Sequence, residues 1–197
     1  MNETSGSRLR RDRERADMRV RLLAAARQIA VEEGWPAVTI RRIADRLQYA
    51  SPILYQHFAG KDGLLLELAR DGFAQVAEVL RAAVDDAPAD HVATRLADAY
   101  WEFAFASPEL YQVMHGLAGV PFGTADTPRE AREAFQVCRS ALVTVRPGLS
   151  DPDGAVDTLW AYLHGWVALT MSGRIAGSRD RARTLMLRGL PGLLGGL

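Results

Sequence analysis

The chain has few of the residues that would link it to an oxidising compartment or to a membrane. Cys138 is the single cysteine in 197 residues, so no disulfide can form within the chain, and a reducing compartment is expected. No apolar run follows the N-terminal arginines, which argues against a secretory signal. The uncharged stretch between Asp157 and Arg174 is shorter than the roughly 20 residues that a membrane-spanning helix needs. We therefore expect a soluble, cytoplasmic protein.

Lysine is nearly absent, and the charges are unevenly placed along the chain. Lys61 is the single lysine among 24 basic residues, and 24 acidic residues bring the net charge to zero. Residues 1–61 carry 12 basic and 7 acidic side chains, whereas residues 62–197 carry 12 and 17. A basic N-terminal part joined to an acidic remainder predicts that only the N-terminal part contacts a polyanion such as nucleic acid.

Strand-like alternation of apolar and polar residues is absent, whereas apolar residues recur at helical spacing through most of the chain. This pattern predicts an all-α protein. Its charge-dense start, residues 1–16, is predicted to be a disordered basic tail, with a phosphate-contacting arm as the alternative. We expect a small helical domain over residues 17–62, joined by a long helix to a larger helical domain over residues 63–197.

Residues 39–61, TIRRIADRLQYASPILYQHFAGK, have the pattern of two short helices around a tight turn. Thr39 is the expected cap of the first helix, and Ser51 followed by Pro52 is the expected start of the second. Leu54 and Phe58 form the inner face of this second helix. Its outer face, with Ser51, Pro52, Tyr55 and Gln56, contains no acidic residue. This arrangement fits a helix-turn-helix that enters a DNA major groove, although an ordinary helical hairpin fits the spacing equally well.

The residues of this motif divide into those suited to phosphates and those suited to bases. Lys61 lies at a helix start, where the backbone N–H groups and the helix dipole already favour an anion. Tyr55 and His57 bracket the second helix, and each can donate to a phosphate oxygen. Thr39, as the cap of the first helix, can share its hydroxyl with a phosphate. Base reading is expected from Ser51, Pro52, Ile53 and Gln56, with Gln56 able to bond adenine bidentately. A core position for Tyr55 and a purely structural hydrogen bond for His57 are the alternatives.

The motif resembles the N-terminal domain of the tetracycline-repressor-like (TetR) family of transcriptional regulators. The carrying residues are Thr39, Ile43-Ala44, Leu47, Leu54-Tyr55, His57-Phe58, Lys61-Asp62 and Leu64. The resemblance implies phosphate contacts at Thr39, Tyr55, His57 and Lys61, and a DNA-contacting role for Arg41. It also implies a regulator, by default a repressor, that binds a palindromic operator. Gln48-Tyr49 replaces the family's usual Gly-Val in the turn, and Pro52-Ile53 replaces the commoner Gly-x.

The second domain contains a helix, residues 155–172, that is apolar nearly all round, with no charge between Asp157 and Arg174. A helix that is apolar on every side is buried on every side, so one face is expected against a partner. We predict that this helix and the last one, residues 179–194, form a four-helix interface in a homodimer. A fully internal helix in a monomer is the alternative.

The second domain also has more aromatic and soft side chains than packing alone requires. As a group they predict an apolar pocket for an apolar or aromatic small-molecule effector, although each one alone could be an ordinary core residue. Effector binding is expected to change the affinity for DNA. The candidates are Trp101, Phe105, Tyr111, Met114, His115, Phe122, Cys138, Trp160 and His164.

The sequence offers little support for an enzyme. No metal-spaced histidine pair, glycine-rich phosphate loop or nucleophile elbow is present. We therefore predict no catalytic residues, no metal site and no cofactor. A helical interaction module that has lost DNA binding is the remaining alternative, since the Gln48-Tyr49 turn departs from the family pattern.

Overall fold

The computed structural model describes residues 3–117 and 121–197, and the regular structure in these ranges is entirely helical. An all-α fold with an N-terminal helix-turn-helix is therefore confirmed. The α-helices are α1 (Glu3–Glu33), α2 (Ile40–Leu47), α3 (Ser51–Tyr55), α4 (Gly60–Val84), α5 (Val92–Ala106), α6 (Pro108–Gln112), α7 (Arg129–Val145), α8 (Pro152–Met171) and α9 (Arg179–Gly195). A 3₁₀ turn, Trp35–Ala37, follows α1, and a π-helical turn, Val113–Leu117, follows α6.

The helices form two compact units. One contains the described residues of Met1–Ala69 and Glu109–Val120, and the other contains those of Arg70–Pro108 and Pro121–Leu197. The predicted functional division at residues 62 and 63 stays a prediction, because these units are defined by packing alone. Packing places the start of α4, as far as Ala69, and most of α6 in the first unit.

The first unit has one hydrophobic core to which each of its helical elements contributes. α1 ends where Gly34 takes a positive φ of 83°, and the following Trp35 turns back into this core. α6 and the π-turn contribute Leu110 and Val113, both 0% exposed, although they are distant in sequence from the other members. The principal core side chains are Leu22, Ile29, Trp35, Val38, Ile43, Leu54, Phe58, Leu64, Leu110 and Val113.

The prediction of disorder for residues 1–16 is wrong for the part that the structure describes, because α1 begins at Glu3. Charges of both signs recur four residues apart here, as in the Arg10–Glu14 pair at 3.7 Å, and such pairs support a helix. No proline interrupts the segment, so the helix that packs from Met18 onward extends back through it. The side chains from Ser7 to Asp17 are all exposed.

The second unit is held together by its own core and by contacts between helices. Arg183 of α9 makes two 2.6 Å hydrogen bonds to the Asp98 carboxylate of α5. The Tyr162 hydroxyl of α8 donates to the carbonyl of Met186 in α9 at 2.6 Å. Gly189 permits this contact, because a Cβ at that position would collide with the Tyr162 hydroxyl. These interactions fix α9 against both α5 and α8.

α8 has one buried face and one face that is open in the single chain. Its buried residues are Ala155, Val156, Leu159, Leu163 and Val167. On the other side Ala161 is exposed, Leu169 is 42% exposed, and Gly165 and Ala168 are partly exposed. Among the described residues, each helix is either too short or too polar to span a lipid bilayer.

Candidate nucleic-acid interface

α2 begins as the sequence predicts. The Thr39 hydroxyl oxygen accepts a hydrogen bond from the Arg42 backbone N–H at 3.1 Å, and Thr39 has the extended backbone of an N-cap. Ile43 and Ala44 on the opposite side are each 1% exposed. Thr39 itself is exposed, and its hydroxyl hydrogen can still be donated outward to a phosphate.

The turn after α2 takes a left-handed conformation at Gln48. Its φ of 57° and ψ of 38° make it the single non-glycine residue with positive φ in the described ranges. The Gln48 N–H donates to the carbonyls of Ala44 and Asp45. The next residue is anchored from α1, because Arg21 donates to the Tyr49 hydroxyl at 3.1 Å and lies 5.6 Å from the centre of its ring. The unusual Gln48-Tyr49 pair therefore forms a defined turn.

Gln48→Gly is expected to raise the free energy of unfolding by roughly 0.5–1 kcal/mol. Left-handed backbone costs an L-residue about 1–2 kcal/mol, and the greater freedom of glycine in the unfolded chain offsets part of that gain. Urea denaturation measures the change. Gln48→Ala is the control, because alanine keeps the Cβ and should give no gain. A glycine variant no more stable than wild type would contradict the assignment of strain.

α3 begins differently from the prediction. Its N-cap is Ala50, with φ −75° and ψ 135°, and no side chain caps the helix. Ser51 is therefore the first helical residue and not the cap, so that prediction is wrong. The reason is that the cap must have an extended backbone, and the chain is already helical at Ser51, with Pro52 in the next position.

The outer face of α3 is open and the inner face is buried, as the motif requires. Leu54 is 0% exposed and Phe58 is 4% exposed, so both belong to the core. Tyr55 is 62% exposed, which excludes the alternative of a core aromatic. Exposed residues on this short helix and its C-terminal end are Pro52, Tyr55 and Gln56, while Ser51 and Ile53 are half-buried.

Two of the predicted phosphate contacts are held in position by the backbone and by α1. Lys61 is the second residue of α4, and its ammonium group donates to the Trp35 carbonyl at 3.3 Å. The His57 carbonyl accepts a hydrogen bond from Arg19 at 3.3 Å. Burial, together with the positive charges of Arg15 and Arg19, lowers the pKa of His57 below its usual value near 6.5. His57 is therefore neutral at pH 7 and can donate one ring N–H.

Two of the three arginines on α2 are held by the last residues of α1. Arg42 contacts both carboxylate oxygens of Glu33, at 2.5 and 2.6 Å, and this hydrogen bonding raises the Arg42 pKa. Arg46 bonds Glu32 at 2.5 Å. These pairs reduce the positive charge that α2 presents, and they also fasten α2 to α1.

Arg41 is the arginine of α2 that remains available. Its side chain is 89% exposed, and its described ion pair is a long one of 3.8 Å to Asp45. The structure thus distinguishes the predicted DNA contact from its neighbours. Sequence reasoning missed Arg19 and Arg21 of α1, which brace the ends of the motif. The sequence could have indicated Arg19, because it belongs to a series of α1 arginines spaced three or four residues apart.

The predicted effector residues are divided between the two units. Tyr111, Met114 and His115 belong to the first unit, where the Tyr111 and His115 rings are 4.6 Å apart. In the second unit the Trp101 and Phe105 rings lie 4.6 Å apart, as do those of Phe122 and Trp160. Cys138 and His164 are also in the second unit.

Burial affects the chemistry of three of these side chains. It raises the pKa of the Cys138 thiol to about 12, so the thiol stays protonated at neutral pH. It also lowers the pKa of His164. Trp101 is 0% exposed, and its indole N–H has no acceptor among the described residues. A buried donor without an acceptor is rare in proteins.

An open groove of about 830 Å³ lies elsewhere in the second unit, between the end of α4, the start of α5 and α7. Val84, Val92 and Ala141 supply apolar lining, and Arg81 is one of its polar residues. None of the nine predicted effector residues lines this groove.

Two domain families, one for each part of the chain, together match most of its length. The family described as bacterial regulatory proteins, tetR family, matches residues 22–68, and the tetracyclin repressor-like C-terminal domain matches residues 93–190. The motif and the all-helical fold define a helix-turn-helix DNA-binding protein. The chain belongs to the TetR family of transcriptional regulators.

Among curated proteins, similarity is confined to part of each chain. An uncharacterised regulator, YobS of Bacillus subtilis, is 29% identical over 46% of this chain and 48% of its own length. The repressor AcnR of Corynebacterium diphtheriae is 34% identical over 32% of this chain and 33% of its own. The activator FasR of Mycolicibacterium smegmatis is 43% identical over 31% and 26%. The matches thus span about half the length of these relatives or less.

Similarity to solved structures extends over nearly the whole chain. A protein of unknown function from Rhodococcus sp. RHA1 has a TM-score of 0.76 at 23% identity, covering 91% of this chain and 94% of that one. A TetR variant from Acinetobacter baumannii in complex with minocycline has a TM-score of 0.66 at 20% identity, covering 89% and 93%. FadR of Bacillus subtilis with stearoyl-CoA has a TM-score of 0.67 at 16% identity, covering 90% and 98%. At these identities the likeness shows the shared fold.

Proposed function

We propose that this regulator is a cytoplasmic repressor that binds a palindromic operator as a homodimer and is released by a small apolar effector. The observation that carries the DNA part is the exposed outer face of α3. Pro52, Tyr55 and Gln56 are open to solvent there, while Leu54 is fixed in the core beneath them. A short helix presented in this way, with no acidic side chain, suits a major groove.

The surroundings of α3 supply the groups that bind a DNA backbone. Thr39 is exposed at the start of α2, Arg41 is exposed on α2, and Lys61 is held at the start of α4. In this proposal Thr39, Arg41, Tyr55, His57 and Lys61 bind phosphates. Ser51, Pro52, Ile53 and Gln56 choose the bases.

Selection of bound sequences from random duplex DNA gives the operator, and two variants then separate the roles. Lys61→Ala is expected to weaken binding to all sequences alike and to reduce the slope of log K against log salt by about 0.9 per subunit, or about 1.8 for the homodimer. Gln56→Ala is expected to change site preference, with a loss of about 1–3 kcal/mol of discrimination at one base pair. Quantitative gel-shift or anisotropy titrations measure both.

Matched controls are available for both variants. Arg81→Ala removes an exposed positive charge from the second unit and should leave DNA binding unchanged. Gln28→Ala removes an exposed glutamine from α1 and should leave site preference unchanged. Equal salt slopes for wild type and Lys61→Ala would refute the phosphate contact. Failure of wild type to select any sequence would refute the DNA-binding proposal.

The effector part of the proposal rests on the second unit's aromatic side chains and on the unsatisfied indole of Trp101. The buried N–H of Trp101 calls for an acceptor, so we propose an apolar or aromatic effector that carries an oxygen acceptor. Proteins of this fold have been seen with minocycline and with stearoyl-CoA, both of which combine apolar parts with oxygen acceptors. Binding would lower the affinity for DNA through a reciprocal coupling.

The homodimer is proposed from the open side of α8. Ala161, Gly165, Ala168 and Leu169 make an exposed or half-exposed side without charged residues, and a second copy of the same face is its proposed occupant. α9 lies beside it, joined through the Tyr162–Met186 hydrogen bond.

The proposed role of a repressor follows the family default. The similar proteins include both roles, since AcnR is named a repressor and FasR an activator. A reporter behind the selected operator distinguishes the two, since its expression falls when a repressor is added.

A further inference from the structure

Four arginines of α1 lie along one side of the helix. Arg8, Arg11, Arg15 and Arg19 are separated by three, four and four residues, the spacing that places side chains above one another on an α-helix. We call this set the α1 arginine stripe. Arg10 and Arg13 lie on other sides of the same turns. Asp12 borders the stripe and is the acidic residue nearest to it in the helical projection.

Arg19 connects the stripe to the end of α3. It donates to the His57 carbonyl at 3.3 Å, its guanidinium lies 5.0 Å from the centre of the Phe58 ring, and it pairs with Glu67 at 2.5 Å. Arg15, one turn earlier, is near enough for its charge to lower the pKa of His57. The stripe therefore begins beside the phosphate-binding end of the candidate interface.

The other charges of the stripe are not neutralised within the described part of the chain. Arg8, Arg11 and Arg15 are exposed and have no ion pair there; the one hydrogen bond of this group runs from Arg11 to the Ser7 carbonyl at 3.3 Å. Arg10, by contrast, pairs with Glu14. Three exposed guanidinium groups in a row on one side of a helix repel one another, and a bound anion would relieve this repulsion.

We infer that the α1 arginine stripe binds the sugar-phosphate backbone of duplex DNA that flanks the bases read by α3. From Arg19 to Arg8 the helix rises by about 16 Å, which corresponds to about five base pairs at 3.4 Å per step. Continuity with His57 favours DNA over an acidic protein, because both surfaces then follow one polyanion. The inference rests on the proposed function and extends its binding surface beyond the helix-turn-helix.

Two double variants on the same helix test this inference. Arg11→Ala with Arg15→Ala removes two charges from the stripe, and Arg10→Ala with Arg13→Ala removes two charges from other sides of α1. Alanine favours helix, so neither pair should unfold α1, and circular dichroism verifies this. Each protein is titrated at several salt concentrations against the selected operator with about 10 flanking base pairs, and against an operator trimmed to the bases that α3 reads.

The stripe variant is expected to bind the long duplex at least about ten-fold more weakly, with a salt slope reduced by about 1.8 per subunit, or about 3.6 for the homodimer. The control pair should keep the wild-type slope, and Arg11→Lys with Arg15→Lys should recover most of the affinity. On the trimmed duplex, wild type and stripe variant should bind equally. Equal losses in the two alanine pairs, or a loss that persists on the trimmed duplex, would overturn the inference while leaving operator recognition intact. Absence of binding by wild type would overturn the proposed function as well.

Discussion

Replacing Leu169 by glutamate is expected to convert the proposed homodimer into a monomer and to weaken operator binding by about two to four powers of ten. In the single chain Leu169 is 42% exposed on the open side of α8, so a glutamate there is solvated and the fold should survive. In a two-fold symmetric dimer each copy would bury an unpaired carboxylate, which is strongly unfavourable. Loss of the second half-site contact then removes the gain from bivalent binding.

Val143→Glu is the matched control for this experiment. Val143 lies on α7 in the same unit and is 38% exposed, so the substitution changes charge and apolar area to a similar degree. Light scattering at micromolar concentration should give a dimeric mass for this control and a monomeric mass for Leu169→Glu. A wild-type protein that is monomeric, or a Leu169→Glu protein that stays dimeric, would rule out α8 as the contact.

Arg27→Ala is expected to destabilise the first unit by about 3 kcal/mol. Arg27 makes hydrogen bonds of 2.7 and 3.2 Å to one oxygen of Glu109, a residue that is only 9% exposed. Without the arginine this carboxylate stays buried beside Leu110 with its main charge partner gone. Breaking a buried pair costs about 3–5 kcal/mol, and the lower end applies because the Arg27 side chain is 31% exposed.

Chemical denaturation of the wild type and three variants tests this expectation. Arg139→Ala is the control, since Arg139 makes an equally short 2.7 Å pair with Asp153 but both side chains are well exposed. That variant should lose less than about 1 kcal/mol. Arg27→Met combined with Glu109→Leu should recover most of the stability, because it removes both charges and keeps apolar volume. A small loss in Arg27→Ala, equal to that of the control, would show that the buried pair contributes little.

Several helix limits are determined by local residues and can be predicted from them. Thr39 caps α2, Gly34 ends α1 with its positive φ, and Asp151 caps α8 by accepting from the Gly154 N–H at 2.9 Å. Ser51 shows where a local rule fails. Serine is a good cap, but the turn that starts at Gln48 reaches helical geometry one residue earlier than composition suggests.

The candidate DNA surface was predicted in its residue types but not in its electrostatics. The sequence shows Arg41, Arg42 and Arg46 as equivalent basic residues on α2. Only the folded chain brings Glu32 and Glu33 against two of them and leaves Arg41 exposed. The charge density of residues 1–16 likewise predicted disorder, whereas their four-residue periodicity supports a continuous helix.

The contribution of α6 and the π-turn to the core of the first unit has a consequence for how DNA-sequence specificity can be transferred from one such regulator to another. A genetic crossover after Ala69 transfers the whole helix-turn-helix but leaves Leu110 and Val113 behind in the parental remainder. Each of these buried side chains contributes about 1.5–3 kcal/mol through the apolar area that it removes from water. A hybrid would therefore contain a helix-turn-helix from one parent whose hydrophobic core must pack against α6 and the π-turn of the other parent. Recombination should succeed best between parents that share the side chains at positions 109, 110 and 113. The transfer of a new DNA-sequence specificity therefore depends on a short segment that is distant in sequence from the helix-turn-helix.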